Sequence, residues 1–227
     1  MIKFDNILGD GIGYLELQDN MGTDADIVSS ARTSYMGSSK GAEADKKLLF
    51  YMLKHKHTSP FEQAQIRVRV KAPIFVVRQW FRHRFWSVNE QSRRYTSSNI
   101  EFYLPTKWRQ QDTKNKQASI GVLDNSEEIN DEYIELLRHS VHVYDEMIDN
   151  GIAREMARMV LPVSLYTTFI GSIDLLNLMR FIQTRTGRDE RGVTHAQHEI
   201  VVYGEALKTI MNILYPWTAE AFDKYGI

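Results

Sequence analysis

Apolar positions along this 227-residue chain recur with two periods, and each change of period marks an element. Between Thr23 and Met36, Ile27, Ala31 and Ser34 share one side of a 3.6-residue repeat, and Thr23 stands where a helix N-cap belongs. From Glu43 to Lys56, Leu48, Leu49, Met52 and Leu53 make the inward stripe of an amphipathic helix. Ser59-Pro60-Phe61-Glu62 reads as a helix start, with serine at the cap, proline next and glutamate at the third position. Over 65–71 the period drops to two: Ile66, Val68 and Val70 alternate with Arg67, Arg69 and Lys71, which predicts a strand with one wet face.

Pro73 opens a further helix predicted to run to about Arg84, on which Arg78 and Arg82, and Gln79 and His83, share a side four residues apart. Ile100, Phe102 and Leu104 predict a second strand, and the polar, lysine-rich stretch 106–125 an exposed excursion. A long helix is predicted from Ser126 to Asn150, carrying Ile129, Tyr133, Leu136, Leu137, Val141, Tyr144 and Ile148 and stopping at Gly151. Helices follow at 152–160, 172–184 and 194–214, the last with Thr194 and Gln197 in capping-box spacing, and 186–193 is a charged loop. The sum is a mostly helical α+β fold with a small antiparallel or mixed sheet, in a single domain over 1–227.

Composition narrows the class. Hydrophobic residues at 43% and charged residues at 25% are ordinary for a globular protein, and no run of about 18 apolar residues predicts a membrane span. The start of the chain lacks the pattern of a signal peptide. Cysteine is absent, which fits a reducing, cytoplasmic setting and excludes a thiolate nucleophile or thiolate-held metal.

Charge is distributed unevenly. Arg78, Arg82, Arg84, Arg93 and Arg94 face one acid, Glu90, so this stretch carries +4 in a chain whose net charge is −1. Guanidinium forks match phosphate and carboxylate oxygens two bonds at a time. Phe85, Trp86 and Tyr95 interleave with Ser87, Asn89 and Ser92, and both flanks are apolar, so the stretch belongs against the core rather than in a solvated tail. Single-stranded nucleic acid, the alternative that also mixes arginine with aromatics, calls for a wider basic surface than a pI of about 6.7 allows. The first reading is a site for a phosphorylated small molecule.

His195-x-x-His198-Glu199 has part of a metal-site spacing but lacks the i,i+4 pair of the zinc-protease helix, so no metal is expected. Arg154-Glu155 and Arg158 share a helix before Leu161-Pro162. By spacing alone, Arg185 reads as a favourable cation at a helix C-terminus.

Residues 82–95 resemble, at every specified position, the pattern of flavin-dependent thymidylate synthases: Arg82-His83-Arg84, Ser87, Asn89-Glu90, Ser92, Arg94-Tyr95. Ala31-Arg32-Thr33-Ser34, His57 to Glu62, Lys71 to Phe75, Arg78 to Phe81, Glu101-Phe102-Tyr103, Arg154-Glu155 with Ala157-Arg158, His195-Ala196-Gln197 and Pro216-Trp217 extend the likeness over nearly the whole chain. Residues 106–125 are least alike, and the loop 186–194 is longer than usual.

The resemblance implies methylation of dUMP at C5, with methylenetetrahydrofolate as one-carbon donor, bound FAD as hydride carrier and NADPH as reductant, in a homotetramer whose sites are shared between subunits. It implies that Gln79, Arg82, Glu90, Gln91, Ser92, Arg93, Arg94, Arg158 and Arg185 hold dUMP. It gives Ser34, Ser59, Arg82, His83, Arg84, Phe85, Asn89, Glu90, Asp174, Arg180 and His195 to FAD, and sets His57 beside the flavin where folate or nicotinamide stacks. Asp174 and Leu176 stand where many members carry asparagine and arginine, and Arg180 replaces a usual asparagine. No nucleic-acid or membrane partner is implied. With no cysteine to attack the uracil, C5 must become nucleophilic by charge stabilisation, and by similarity Arg185 is the cation that favours the ionised ring.

Overall fold

The computed structural model describes residues 2–95, 99–124 and 126–227. A five-stranded antiparallel sheet orders β1 (Lys3–Asp5), β2 (Tyr14–Met21), β3 (Gln65–Pro73), β7 (Tyr166–Asp174) and β4 (Ser87–Glu90) as β1-β2-β3-β7-β4. The remaining strands, β5 (Gln110–Gln111) and β6 (Ser119–Ile120), form a separate hairpin. Helices are α1 (Asp24–Arg32), α2 (Ala42–Lys54), α3 (Ile74–Trp80), α4 (Glu127–Asp149), α5 (Arg154–Ala157), α6 (Leu175–Thr186), α7 (His198–Leu214) and α8 (Pro216–Tyr225).

The alternation at 65–71 has its predicted effect: Ile66, Val68 and Val70 are buried, and Arg67 and Arg69 are exposed. Register places Val68 opposite Leu17 of β2 and Gly171 of β7. The core gathers around Trp80, whose ring lies 4.9 Å from Phe181, 5.3 Å from Phe169 and 5.4 Å from Trp86. Gly171 is required there, because a Cβ would stand 2.9 Å from Trp86 Cε3. Trp86 thus pins the arginine-rich stretch to the sheet.

Several predicted elements are shorter or differently built. The helix from Pro73 ends at Trp80, so Arg82 and His83 lie in the following turns and not on a continuous helical face. Ser59–Gln63 is a 3-10 turn with Thr58 at its cap position and no side-chain cap. Residues 100–104 are not a strand: Phe102 makes one bridge to Leu165. Tyr103 N donates to Ser164 O and Tyr166 N to Glu101 O, but Gln91 N already holds Thr168 O on the same edge of β7 and Pro162 and Pro105 stand at the other end, so the pairing stops at one bridge.

Asp174, expected inside a helix from 172, caps α6 instead, accepting from Asn177 N at 2.9 Å, and the preceding residues form β7. The last long helix begins at His198. Thr194 donates to Ala196 O, Gln197 makes no capping bond, and no capping box forms. Region 152–160 is the short α5 followed by a 3-10 turn. Within α4, Leu137, Ser140 and Tyr144 are buried, while Ile129 and Leu136 lie exposed. The 106–125 excursion, whose Asn125 lies outside the described residues, carries the β5–β6 hairpin.

Strands β1, β2, β4, β5, β6 and β7 and helix α8 were not predicted. Leu15 and Leu17 do alternate, but a register shift between Leu17 and Asp19 breaks the period. Strand β7 is the second central strand, buried on much of both faces, and loses its polar alternation for that reason.

Candidate active site

The arginine-rich stretch is an interruption of the sheet edge. Strand β4 pairs with Phe169–Ser172, and Gln91 N continues to Thr168 O at 2.8 Å. The chain then leaves and rejoins the same edge of β7, where Tyr166 N donates to Glu101 O. Of the residues between, Thr96–Ser98 lie outside the described set. Arg93 is buried, and its Nη2 donates to Asn99 O at 2.7 Å, so this guanidinium ties down the excursion. Ser92 closes a turn, its Oγ accepting from Arg94 N at 3.3 Å and its carbonyl from Tyr95 N.

Arg185 reaches back from the last turn of α6 to this region. Its Nε donates to His83 Nε2 at 2.9 Å and its Nη2 to the Gln79 carbonyl at 2.8 Å. Its Nη1 has no partner among the described residues, and no carboxylate pairs with the group. Burial lowers the Arg185 pKa. Burial, and then the Arg185 charge, push His83 down to about 4, so His83 is a neutral acceptor near pH 7. A half-buried cation held by two neutral acceptors has an unmatched charge, which favours an anionic ligand. Gln79 is oriented by a side-chain bond to Gln197.

A second cluster holds Arg94 Nε 3.4 Å from Glu155 Oε2, with Arg158 Nε donating to the Glu155 carbonyl at 3.3 Å. A third surrounds a cavity of about 280 Å³ lined by Arg82, His83, Arg84, Phe85, Ile173, Asn177 and Arg180. Arg78, Arg82 and Arg84 have no partner among the described residues, and Phe85 is 65% exposed. Asp174 does not present a free carboxylate there, since Asn177 N and Nδ2 both donate to it; Arg180 Nη1 donates to Asn177 Oδ1 at 3.0 Å. Asn89 and Glu90 stand exposed on β4.

Other predicted residues lie apart from these clusters. Ser34 donates to Ala31 O in an exposed turn, and Ser59 is exposed. His57 is exposed with its ring edge-on to Tyr51 at 5.9 Å. His195 lies 3.0 Å from Asn115. Sequence reasoning missed Asn177 and Asn115, and it placed Gln197 in a motif without giving it a site role; Gln197 and Asn115 meet their partners across long separations.

A larger cavity of about 490 Å³, lined by Phe75, Tyr103, Trp108, Arg109 and Glu199 among others, contains none of the predicted site residues. There Glu199 is 2% exposed and committed to Arg109 and Tyr103. Cations without a carboxylate partner among the described residues stand at the smaller cavity and at Arg185, an arrangement that can accept a phosphorylated, planar ligand.

Comparison with known proteins sharpens that class. Residues 16–217 match the family described as thymidylate synthase complementing protein. The chain is 43% identical over 218 residues to the flavin-dependent thymidylate synthase of Thermosipho africanus, covering 94% of this chain and 92% of that protein. It is 43% identical over 217 residues to the flavin-dependent thymidylate synthase of Thermus thermophilus, covering 94% and 76%. A crystal structure of the UMP/dUMP methylase PolB from Streptomyces cacaoi bound with 5-Br dUMP superposes with a TM-score of 0.85 at 34% identity, over 93% of this chain and 95% of that one. The chain belongs to the flavin-dependent thymidylate synthase family and is a methyltransferase enzyme of that class.

Proposed function

We propose that this enzyme converts dUMP to dTMP, taking its one-carbon unit from methylenetetrahydrofolate and its reducing equivalents from NADPH, as a homotetramer with a bound FAD. The observation that carries the reading is Arg185: a cation fixed at Nε and Nη2, open at Nη1 and paired with no carboxylate among the described residues. Such a group stabilises the negative charge that uracil acquires when N3 ionises, which makes C5 nucleophilic without a cysteine. Arginine is too basic to accept the proton itself, so its role is electrostatic. The neutral His83 keeps the guanidinium in place without cancelling its charge.

Gln79, Ser92, Arg94 and Arg158 are the residues proposed to orient the nucleotide, with Arg94 and Arg158 supplying phosphate donors. Arg93 helps indirectly by anchoring their loop, and Glu90 and Gln91 border it. The residues around the smaller cavity fit FAD: Arg82 and Arg84 are free to meet a pyrophosphate, and exposed Phe85 offers a ring surface. Bound there, FAD supplies the hydride chemistry that no side chain can. His57, exposed beside Tyr51, is proposed for the folate or nicotinamide side. The Arg185 and Arg94–Arg158 clusters share no bonded partner, which suits a site completed by a second subunit. Exposed apolar side chains such as Leu136, Met156, Met159 and Val163 are surface for such contacts.

The test is direct. The purified protein should show the absorption of an oxidised flavin or acquire it on FAD titration. It should oxidise NADPH faster when dUMP is present and form dTMP when methylenetetrahydrofolate is added. A protein that takes up no FAD and makes no dTMP overturns the proposal.

A further inference from the structure

The hairpin between Leu104 and Ser126 crosses to the stretch that follows Arg185 and grips it at three points. Arg109 Nη2 donates to buried Glu199 Oε1 at 2.6 Å, in the first turn of α7. Asp112, 4% exposed, accepts from Arg191 Nη2 at 3.1 Å, and Arg191 also holds Asp189 at 2.9 Å. Asn115 Nδ2 lies 3.0 Å from His195 Nδ1. The 106–125 excursion is thus built against the loop 186–194 and the residues that follow it.

The turn around Asn115 decides which atom of the third pair donates. Asn115 Oδ1 accepts from Gln117 N at 3.0 Å, and its carbonyl accepts from Ala118 N. With the amide oxygen committed to this Asx turn, the NH2 group faces the ring. An NH2 group has only hydrogens to offer, so Nδ1 is the acceptor and the neutral imidazole carries its proton on Nε2.

We propose that Asn115 is a positioning residue that fixes His195 in the Nε2–H tautomer, so that the ring offers a donor on the side away from the hairpin. The geometry stands by itself; its consequence rests on the reading of His195 as a flavin contact. FAD presents phosphate and carbonyl oxygens, which accept hydrogen bonds, and a ring with the reversed tautomer would set a lone pair against them. The Asn115–His195 pair is near the surface, where water competes. The deeper ties at Asp112 and Glu199 hold its two segments together.

The test uses the holoenzyme with nitrogen-15-labelled histidine, at about pH 9, where imidazoles are neutral. The His195 signal is assigned by its loss in His195→Gln. The wild type should carry the ring proton on Nε2. Asn115→Asp keeps an oxygen for the Gln117 turn but replaces the donor with an acceptor, so the proton should move to Nδ1. FAD binding should become roughly three- to tenfold weaker, the weight of about one hydrogen bond. Asn115→Ala, which removes the donor without adding charge, should leave both tautomers populated and give a smaller loss. A wild-type proton on Nδ1, or a reversed tautomer with unchanged FAD affinity, would overturn the proposal. A wild-type chain that binds no FAD refutes the flavin reading, and with it the use proposed for the tautomer, whatever the nitrogen shifts.

Discussion

Arg185 sits in the last turn of α6, where a cation gains about 0.3–1 kcal/mol from the helix dipole. The electrostatic role proposed for it competes with that structural one, and its bonds to His83 and Gln79 hold the group in place for either. Arg185→Lys keeps the charge but loses the planar fork. Loss of one preorganised contact costs about 2.7–4 kcal/mol in the transition state, so dTMP formation should fall roughly 100- to 1,000-fold with FAD binding retained. Full turnover in that variant would return Arg185 to a structural role. His83 gives a pH signature: its folded pKa of about 4 lies below the ordinary 6.5, so its contribution to stability is complete above that value and is lost as pH falls toward 4. His83→Gln keeps an acceptor for Arg185 and cannot titrate. Its melting temperature should drop less than the wild type's between about pH 7 and pH 4.5, and equal drops would contradict the assignment. Ser92 has its hydroxyl in a turn with no base bonded to it, so Ser92→Ala should weaken dUMP binding and leave measurable turnover.

Elements differ in how local their determinants are. Helix α1 begins where its own sequence dictates: Thr23 N donates to Asp26 Oδ2 at 2.8 Å, and Asp26 N donates back to Thr23 Oγ1. Thr23→Ala should cost about 0.5–2 kcal/mol in denaturant unfolding. Helix α8 is capped from afar, with Asp24 accepting from Trp217 N at 2.7 Å and Thr218 N at 3.1 Å. The hairpin over the Arg185 loop is likewise held from a distance. A double-mutant cycle on Asp112 and Arg191 should return a favourable coupling, because the two side chains meet directly and Arg191 also holds Asp189. Additive effects would mean that the hairpin and the loop are independent.

For the molecule as a whole, the homotetramer proposed above is the property to test. Light scattering of the FAD-loaded protein should report a tetramer, and dilution that dissociates it should abolish dTMP formation. An active monomer would show that one chain's clusters suffice. Among the described residues no helix is long and apolar enough to cross a membrane.

The sequence by itself determined what depends on neighbours along the chain. Residues 65–71 alternate and form the central strand, Thr23 caps its own helix, Gly151 follows the long one, and 82–95 carries the family pattern intact. These features rest on backbone periodicity and on contacts a few residues apart, which a linear reading captures. Tertiary structure decided the rest. The alternation of residues 100–104 gives no strand because Gln91 already occupies the same edge of β7 at Thr168 and Pro105 and Pro162 end the pairing, and residues 166–174 form a strand because β3 and β4 flank them. Arg185 meets His83 across 102 positions and Asn115 meets His195 across 80. No local pattern encodes such pairs, since each partner's side chain is placed by a different element and their meeting follows only from how those elements pack.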